Sequence, residues 1–209
     1  MKAGKDIFLE IDRHLQQDRA PSEFLKALLE EGALDAPPLN RLSELRGTKQ
    51  SPQHHPEGDV WNHTMLVVDE AAQVRERSSD VRAFMWAALL HDIGKPATTR
   101  FQKGKITSYD HDKVGEGLAL TFLQEFGEPD LAAKVAALVR WHMQILFVVK
   151  DMPFADIPAM MDQVTLEDVA LLGQCDRLGR LRPDREKELQ TIRQFRSKVQ
   201  AHGKKRSSQ

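Results

Sequence analysis

The sequence has a single cysteine, Cys175, so no disulfide can close within the chain, and this usage suits a reducing compartment. It lacks a dominant charge: 30 Lys and Arg stand against 31 Asp and Glu, a formal net charge of −1. That balance excludes the global field of a general nucleic-acid or anionic-membrane binder, although not a local basic site. No apolar run approaches the ~20 residues needed to span a bilayer, and Met1 to Asp6 opens a charged amphipathic segment rather than a signal peptide. Aromatic residues make up only 6% of the chain, and β-branched residues seldom alternate, which argues against a sheet protein. Leu, Ala, Glu, Lys and Gln abound instead. At 209 residues this composition predicts an all-α fold in a cytoplasmic protein with no membrane segment and no obligate protein partner.

Hydrophobic spacing divides the chain into helices. Residues 6–16 carry Ile7, Phe8, Ile11 and Leu15 on one side, and a second helix from Pro21 carries Phe24, Leu25, Leu28 and Leu29 until Gly32 stops it. Pro37-Pro38 breaks the chain, residues 39–45 suggest a short helix, and residues 47–59 read as a loop delivering His54 and His55. A helix over residues 60–77 follows, with His63 in its first turn. Ser79-Asp80 caps the next, whose stripe is Val81, Phe84, Met85, Ala88 and Leu89. Residues 97–109 turn at Lys103-Gly104-Lys105 and form a small hairpin or a loop. The helix over residues 110–126 places His111 in register with Val114, Leu118 and Phe122. A further helix from Pro129 carries Leu131, Val135, Leu138 and His142 on one stripe. After a short helix over residues 154–163, Thr165 to Asp168 form a capping box for a helix with Val169, Leu172 and Asp176 in line. Residues 184–201 give a charged helix with Leu189, Ile192, Phe195 and Val199, and residues 203–209 read as a disordered basic tail.

The informative stretch is His91-Asp92-Ile93-Gly94-Lys95-Pro96. Asp92 extends the inward stripe of its helix, and Gly94 and Pro96 end that helix. An inward carboxylate at a helix end costs several kcal/mol unless a cation meets it. The cation is either Lys95 or an Arg, or it is a metal. His63, His91, His111 and His142 with Asp92 and Asp176 all fall at helix ends or on core stripes, and that accumulation favours a metal over isolated core histidines. His14 and His202 fall outside this set.

The order His63, His91-Asp92, His111, His142, Asp176 resembles the HD-domain metal-dependent phosphohydrolases. The segments His54 to Thr64, Leu90 to Pro96 and Cys175 to Arg180 are similar to the HD domains of bacterial CCA-adding tRNA nucleotidyltransferases and of HD modules fused to bacterial polynucleotide kinases. The resemblance covers residues 40–182, leaving residues 1–39 as an N-terminal helical extension and residues 183–209 as a C-terminal helix with a basic tail. It implies an HD-type helical bundle with the metal site between core helices. It further implies two divalent cations (Mn, Fe, Co, Ni or Zn, with Mg left open). His63, His91 and Asp176 would hold one, His111 and His142 the other, and Asp92 would bridge them. With one metal, His111 and His142 would contact the substrate phosphate instead. No nucleotidyltransferase head precedes this region and no Gly-x-x-x-x-Gly-Lys-Ser/Thr loop follows it, so on this reading the hydrolase acts alone.

The expected substrate is a nucleotide or RNA-end phosphate, a 2′,3′-cyclic phosphodiester or a 2′-phosphate. Free nucleotides or dinucleoside polyphosphates are the alternative within enzymes, and a non-catalytic nucleotide-binding sensor is the alternative outside them. Asp92 and Lys95 are the expected catalytic residues. Lys95, Arg177 and Arg180 are the expected phosphate-binding residues, against a solvated Lys95 and a structurally paired Arg177. Glu57, Asp59, His54 and His55 either line the mouth or orient the ligand imidazoles. Trp61 either anchors its helix or stacks a base.

Overall fold

One helix, α5 (Val81–Leu90), lies at the centre of the computed structural model, which describes residues 4–102 and 104–206. Its residues from Ala83 to Leu90 are all buried, so the stripe expected from spacing is in fact an apolar surface on every side. Asp80 caps it by accepting from the Ala83 amide at 3.0 Å. α1 (Gly4–Gln17), α4 (Val60–Ala72), α8 (Pro129–Trp141) and α11 (Leu166–Leu178) pack around it. From α1, Phe8 stacks on Trp86 at 5.0 Å while Asp12 accepts from the Trp86 indole at 2.7 Å. This is how α5 buries a large ring and still satisfies its N–H.

The remaining elements keep the expected order with corrected bounds, joined by two short helices that the spacing did not give, Lys95–Thr98 and Gln144–Val149. They are α2 (Pro21–Glu30), α3 (Asn40–Ser43), α6 (Lys95–Thr98), the antiparallel hairpin β1 (Thr99–Gln102) and β2 (Lys105–Ser108), α7 (His111–Gln124), α9 (Gln144–Val149), α10 (Ile157–Gln163) and α12 (Arg185–Arg206). The helix expected over residues 60–77 ends at Ala72 and continues only as a 3-10 turn at Arg75–Arg77. Pro96 opens the short helix α6 rather than merely stopping the one before it, because proline fits the first turn, where its missing N–H is unneeded. The tail is helical through Arg206 rather than disordered from Gly203, since one glycine costs a lysine-rich helix only about 1 kcal/mol. Residues 207–209 of that expected tail lie outside the described residues, as does Lys103 of the turn.

On α7 the expected register holds at His111 and Phe122 and fails at Val114. Val114 is exposed and Leu118 half-buried, and the buried residues include Asp112, Gly115, Ala119 and Leu123. Gly115 and Ala119 carry little hydrophobic signal, but their small size lets α7 close onto α8 and onto Gly94, the residue before α6. A Cβ at Gly94 would stand 2.2 Å from the His111 carbonyl oxygen and 2.7 Å from the Gly115 nitrogen. The close backbone contact therefore sets where α7 begins, and with it the position of His111.

A single hydrophobic core runs from Ile7 in α1 to Val199 in α12. One stretch, Pro129–Val149, is long and apolar enough to cross a membrane by length and composition, contrary to the expectation that no such run exists. Its apolar window is 56% buried inside the bundle, and a turn at His142-Met143 splits it into α8 and α9. Its hydrophobicity is spent on the core through Leu131, Val135, Val139 and Ile145.

Candidate metal centre

Six residues from five helices converge where α5 ends. His63 lies in the first turn of α4, whose N-cap Asp59 accepts from the Asn62 amide at 2.9 Å. His91 is the C-cap of α5, and Asp92 follows it. His111 opens α7 after Asp110, which adopts the left-handed conformation (φ 57°) that aspartate tolerates better than most residues. His142 is the C-cap of α8, and Asp176 sits near the end of α11.

Three of the imidazoles are oriented by one device. His91 Nδ1 donates to the Ala88 carbonyl at 2.9 Å, His111 Nδ1 to Ser108 at 2.6 Å, and His142 Nδ1 to Val139 at 2.6 Å. In each case the acceptor is the carbonyl three residues earlier. A carbonyl can only accept, so in the neutral ring each Nε2 carries a lone pair. All three Nε2 atoms face Asp92. His91 Nε2 is 3.2 Å from Asp92 Oδ2, while His111 and His142 Nε2 are 3.5 and 3.9 Å from Oδ1. His63 Nε2 lies 3.1 Å from Asp176 Oδ1 and 3.9 Å from Asp92 Oδ2.

The two Asp92 oxygens thus address two groups: His63 and His91 with Asp176 on one side, His111 and His142 on the other. Each group offers ligand atoms that lie within 4.8 Å of one another.

Without a cation this arrangement is unfavourable. The Nε2 atoms of His111 and His142 meet at 3.2 Å, lone pair to lone pair, and the buried His91 Nε2 has no hydrogen-bond partner. Burial, reinforced by neighbouring His111 and His91, pushes the His142 pKa down to about 3. Burial also lowers His111, so protonation does not relieve the contact near neutral pH. Burial disfavours the Asp92 anion as well, yet His91 and Lys95 outweigh it and hold the carboxyl well below the usual range. The negative C-terminal poles of α5 and α8 both point at the cluster and favour positive charge there. Imidazole and carboxylate donors in this number suit a borderline divalent cation, so the residues present fit such a metal.

Lys95 is buried at 9% exposure, with Nζ 2.6 Å from Asp92 Oδ2 and donating to Gln50 Oε1 at 2.6 Å. The solvated alternative for this lysine is therefore excluded. Gln50, which holds the ammonium in place, carried no sequence signal, because a loop glutamine belongs to no periodic pattern.

Arg180 Nη2 lies 3.7 Å from Asp176 Oδ1. Arg177 does not face the cluster: it donates to Glu188 on α12 at 2.7 Å, which is the structural pairing. Glu57 faces His63 Nδ1 at 3.0 Å and His55 Nδ1 at 2.9 Å, whereas His54 is exposed. Asp59 is a helix cap, and Trp61 is buried as an anchor rather than open to a base.

Comparison with known proteins agrees with this geometry. Residues 60–152 match the family model of the HD domain. The chain is 35% identical over 138 residues to the multifunctional CCA protein of Halorhodospira halophila, covering 66% of this chain and 31% of that protein. It is 30% identical over 182 residues to the multifunctional CCA protein of Alkalilimnicola ehrlichii, covering 84% of this chain and 42% of that one. With the corresponding protein of Aromatoleum aromaticum it shares 42% identity over 92 residues. The matched region spans from about a fifth to about two fifths of the length of these relatives. HD domains are a superfamily of metal-dependent phosphohydrolases that bind divalent metals. The match at residues 60–152, together with the histidine and aspartate cluster, identifies this chain as carrying an HD domain, related to that of the multifunctional CCA proteins.

Proposed function

We propose that this chain hydrolyses nucleotide or RNA-end phosphates, a 2′,3′-cyclic phosphodiester or a 2′-phosphate, with two divalent ions. The observation that carries the reading is Asp92, buried and aimed with one oxygen at each of two groups of Nε2 lone pairs. His63, His91 and Asp176 would hold one ion and His111 and His142 the other. Bound divalent ions would supply the charge that activates a water and offsets the phosphoryl oxygens.

The chain's own residues do the rest. The carbonyls of Ala88, Ser108 and Val139 fix the imidazole tautomers, so no ring reorients during turnover. Lys95 stands beside Asp92 and offers its ammonium to a phosphate oxygen. Arg180 offers its guanidinium from the Asp176 side. The α5 and α7 ends, buried beneath the cluster, keep bulk water from the inner face of the site. Arg177 is assigned to the Glu188 pair and not to substrate. The buried single thiol is consistent with a cytoplasmic setting.

A panel of 2′,3′-cyclic nucleotides, 2′- and 3′-mononucleotides and dinucleoside polyphosphates, assayed with Mn, Fe, Co, Ni, Zn and Mg, tests the proposal. Turnover of the cyclic and 2′ esters is expected. Preference for dinucleoside polyphosphates would move the activity to free nucleotides, and no turnover of any phosphate ester would overturn it.

A further inference from the structure

Among the described residues only three aromatic side chains are largely exposed, and two of them belong to one short stretch beside the metal centre. Phe101 on β1 is 75% exposed and Tyr109, directly after β2, is 79% exposed. The third, Phe154, has a ring neighbour in Phe147 at 5.6 Å. The other large rings are mostly core, so exposed rings concentrated here are a local feature. Charge is local too. Residues 97–109 contain Arg100, Lys103 and Lys105 and no Asp or Glu, in a chain otherwise near balance. Arg100 and Lys105 are both exposed. Lys103 lies outside the described residues and carries no part of the argument.

The hairpin is rooted in the candidate site at both ends. At its start, α6 begins with Lys95 and runs straight into Thr99. At its end, the Ser108 carbonyl receives the His111 Nδ1 proton at 2.6 Å. The rung joining Thr99 to Ser108 is closed by a hydroxyl–hydroxyl bond of 2.8 Å. Phe101 is two residues further along the strand, about 7 Å beyond that rung. A ring so placed is within reach of a base whose phosphate lies against His111.

We propose that this hairpin is the base-binding arm of the site. Phe101 and Tyr109 stack on unpaired nucleobases, and Arg100 and Lys105, which strand alternation puts on the other face of the narrow ribbon from Phe101, meet phosphates that pass over its edge. The ligand is then the end of a single-stranded RNA and not only a mononucleotide. Stacking suits this ligand because every base has a π-face, and an anionic backbone matches a segment with cations and no carboxylate. The inference rests on the proposed action on RNA-end phosphates and supplies that action with its recognition element.

The test is binding by fluorescence anisotropy of a labelled RNA octamer of mixed sequence with a plain 3′-hydroxyl. This probe offers no phosphomonoester or cyclic phosphate to turn over, so the readout is independent of catalysis. The wild-type chain is expected to bind it. Phe101→Ala and Tyr109→Ala should each raise Kd by roughly 5- to 100-fold, the range of one lost base stack. Phe101→Trp, a larger stacking face, should bind at least as tightly as wild type and shows that the position tolerates replacement. Arg100→Ala and Lys105→Ala should each lower the slope of log Kd against log salt by about 0.7. No binding by the wild type, equal binding by both ring variants, or equal affinity for an RNA duplex would overturn the arm. Hydrolysis of phosphate esters by a wild type that fails this binding test would overturn the arm alone. Octamer binding as expected, with no ester hydrolysed, would overturn the proposed activity and leave the arm in place.

Discussion

Glu57 is the most instructive residue to remove. Its side chain is 3% exposed, and Oε1 faces two imidazoles, His55 Nδ1 at 2.9 Å and His63 Nδ1 at 3.0 Å. Oε2 accepts from the Leu181 amide at 3.2 Å. Burial opposes the charge, but the hydrogen bonds from His55 and His63 prevail and hold the carboxyl well below the usual range. Glu57→Ala removes the carboxylate that faces the fully buried His63 Nδ1 at 3.0 Å, a cost of about 1–3 kcal/mol. It also frees the ring to turn its other nitrogen toward Asp176. Loss of such a carboxylate behind a ligand imidazole lowers metal affinity by ~10–100-fold. Glu57→Gln is the sharper variant because its volume is unchanged. Its amide has one accepting oxygen, so either the imidazoles or the Leu181 N–H must face a donor, and an intermediate loss is expected. Metal affinity from chelator competition and melting temperature on the same preparations decide the matter. A lowered melting temperature with unchanged metal affinity in both variants would refute the orienting role.

Further outcomes follow from other residues. Gly94→Ala drives a methyl into the His111 carbonyl and the Gly115 nitrogen, backbone atoms that cannot yield cheaply; overpacking should cost about 1–3 kcal/mol or more in thermal unfolding, with weaker metal binding as His111 shifts. Arg180→Ala should keep its metal, since it replaces no ligand and Asp176 keeps His63 at 3.1 Å, while kcat/KM falls by about one and a half to three decades (~2–4 kcal/mol); a destabilised but fully active variant would remove Arg180 from the site. Arg177→Ala should do the reverse, losing about 1–2 kcal/mol of stability with the Glu188 pair while activity per folded molecule holds. Burial opposes an imidazolium at His63, but hydrogen bonds to Asp176 and Glu57 outweigh it and raise the pKa above the ordinary value. A metal must displace that proton, so affinity should fall as pH drops through the raised pKa; chelator competition between about pH 8 and 6 measures this, and a flat profile would contradict it.

Helices and the inward-facing histidines and aspartates were legible because both leave periodic traces. Ile7, Phe8, Ile11 and Leu15 are the buried face of α1 as spacing predicts, and the Asp80 and Thr165 caps stand where their side chains suggest. His142 lies in line with Leu131, Val135 and Leu138, so its inward aim was readable. What escaped the sequence depends on contacts between distant segments. The α7 register is set by Gly94 against Gly115, and glycines carry no hydrophobic period. Gln50 reaches Lys95 across 45 residues, and Arg177 turns to Glu188 on a helix whose placement no local pattern gives. Pro129–Val149 shows the converse: composition alone passes it as a membrane span, whereas its apolar side chains pack in the core.

Elemental analysis of the purified, dialysed chain tests the central claim most directly, with metal per chain measured for wild type and for Asp92→Ala. Asp92 lies between both groups of ligand atoms, and the apolar surface of α5 survives its removal. The two-metal reading predicts about two divalent ions per wild-type chain. In Asp92→Ala it predicts almost none, with helical content preserved by circular dichroism. A wild-type chain free of divalent metal after supplementation, or an Asp92→Ala chain with the wild-type metal content, would contradict it.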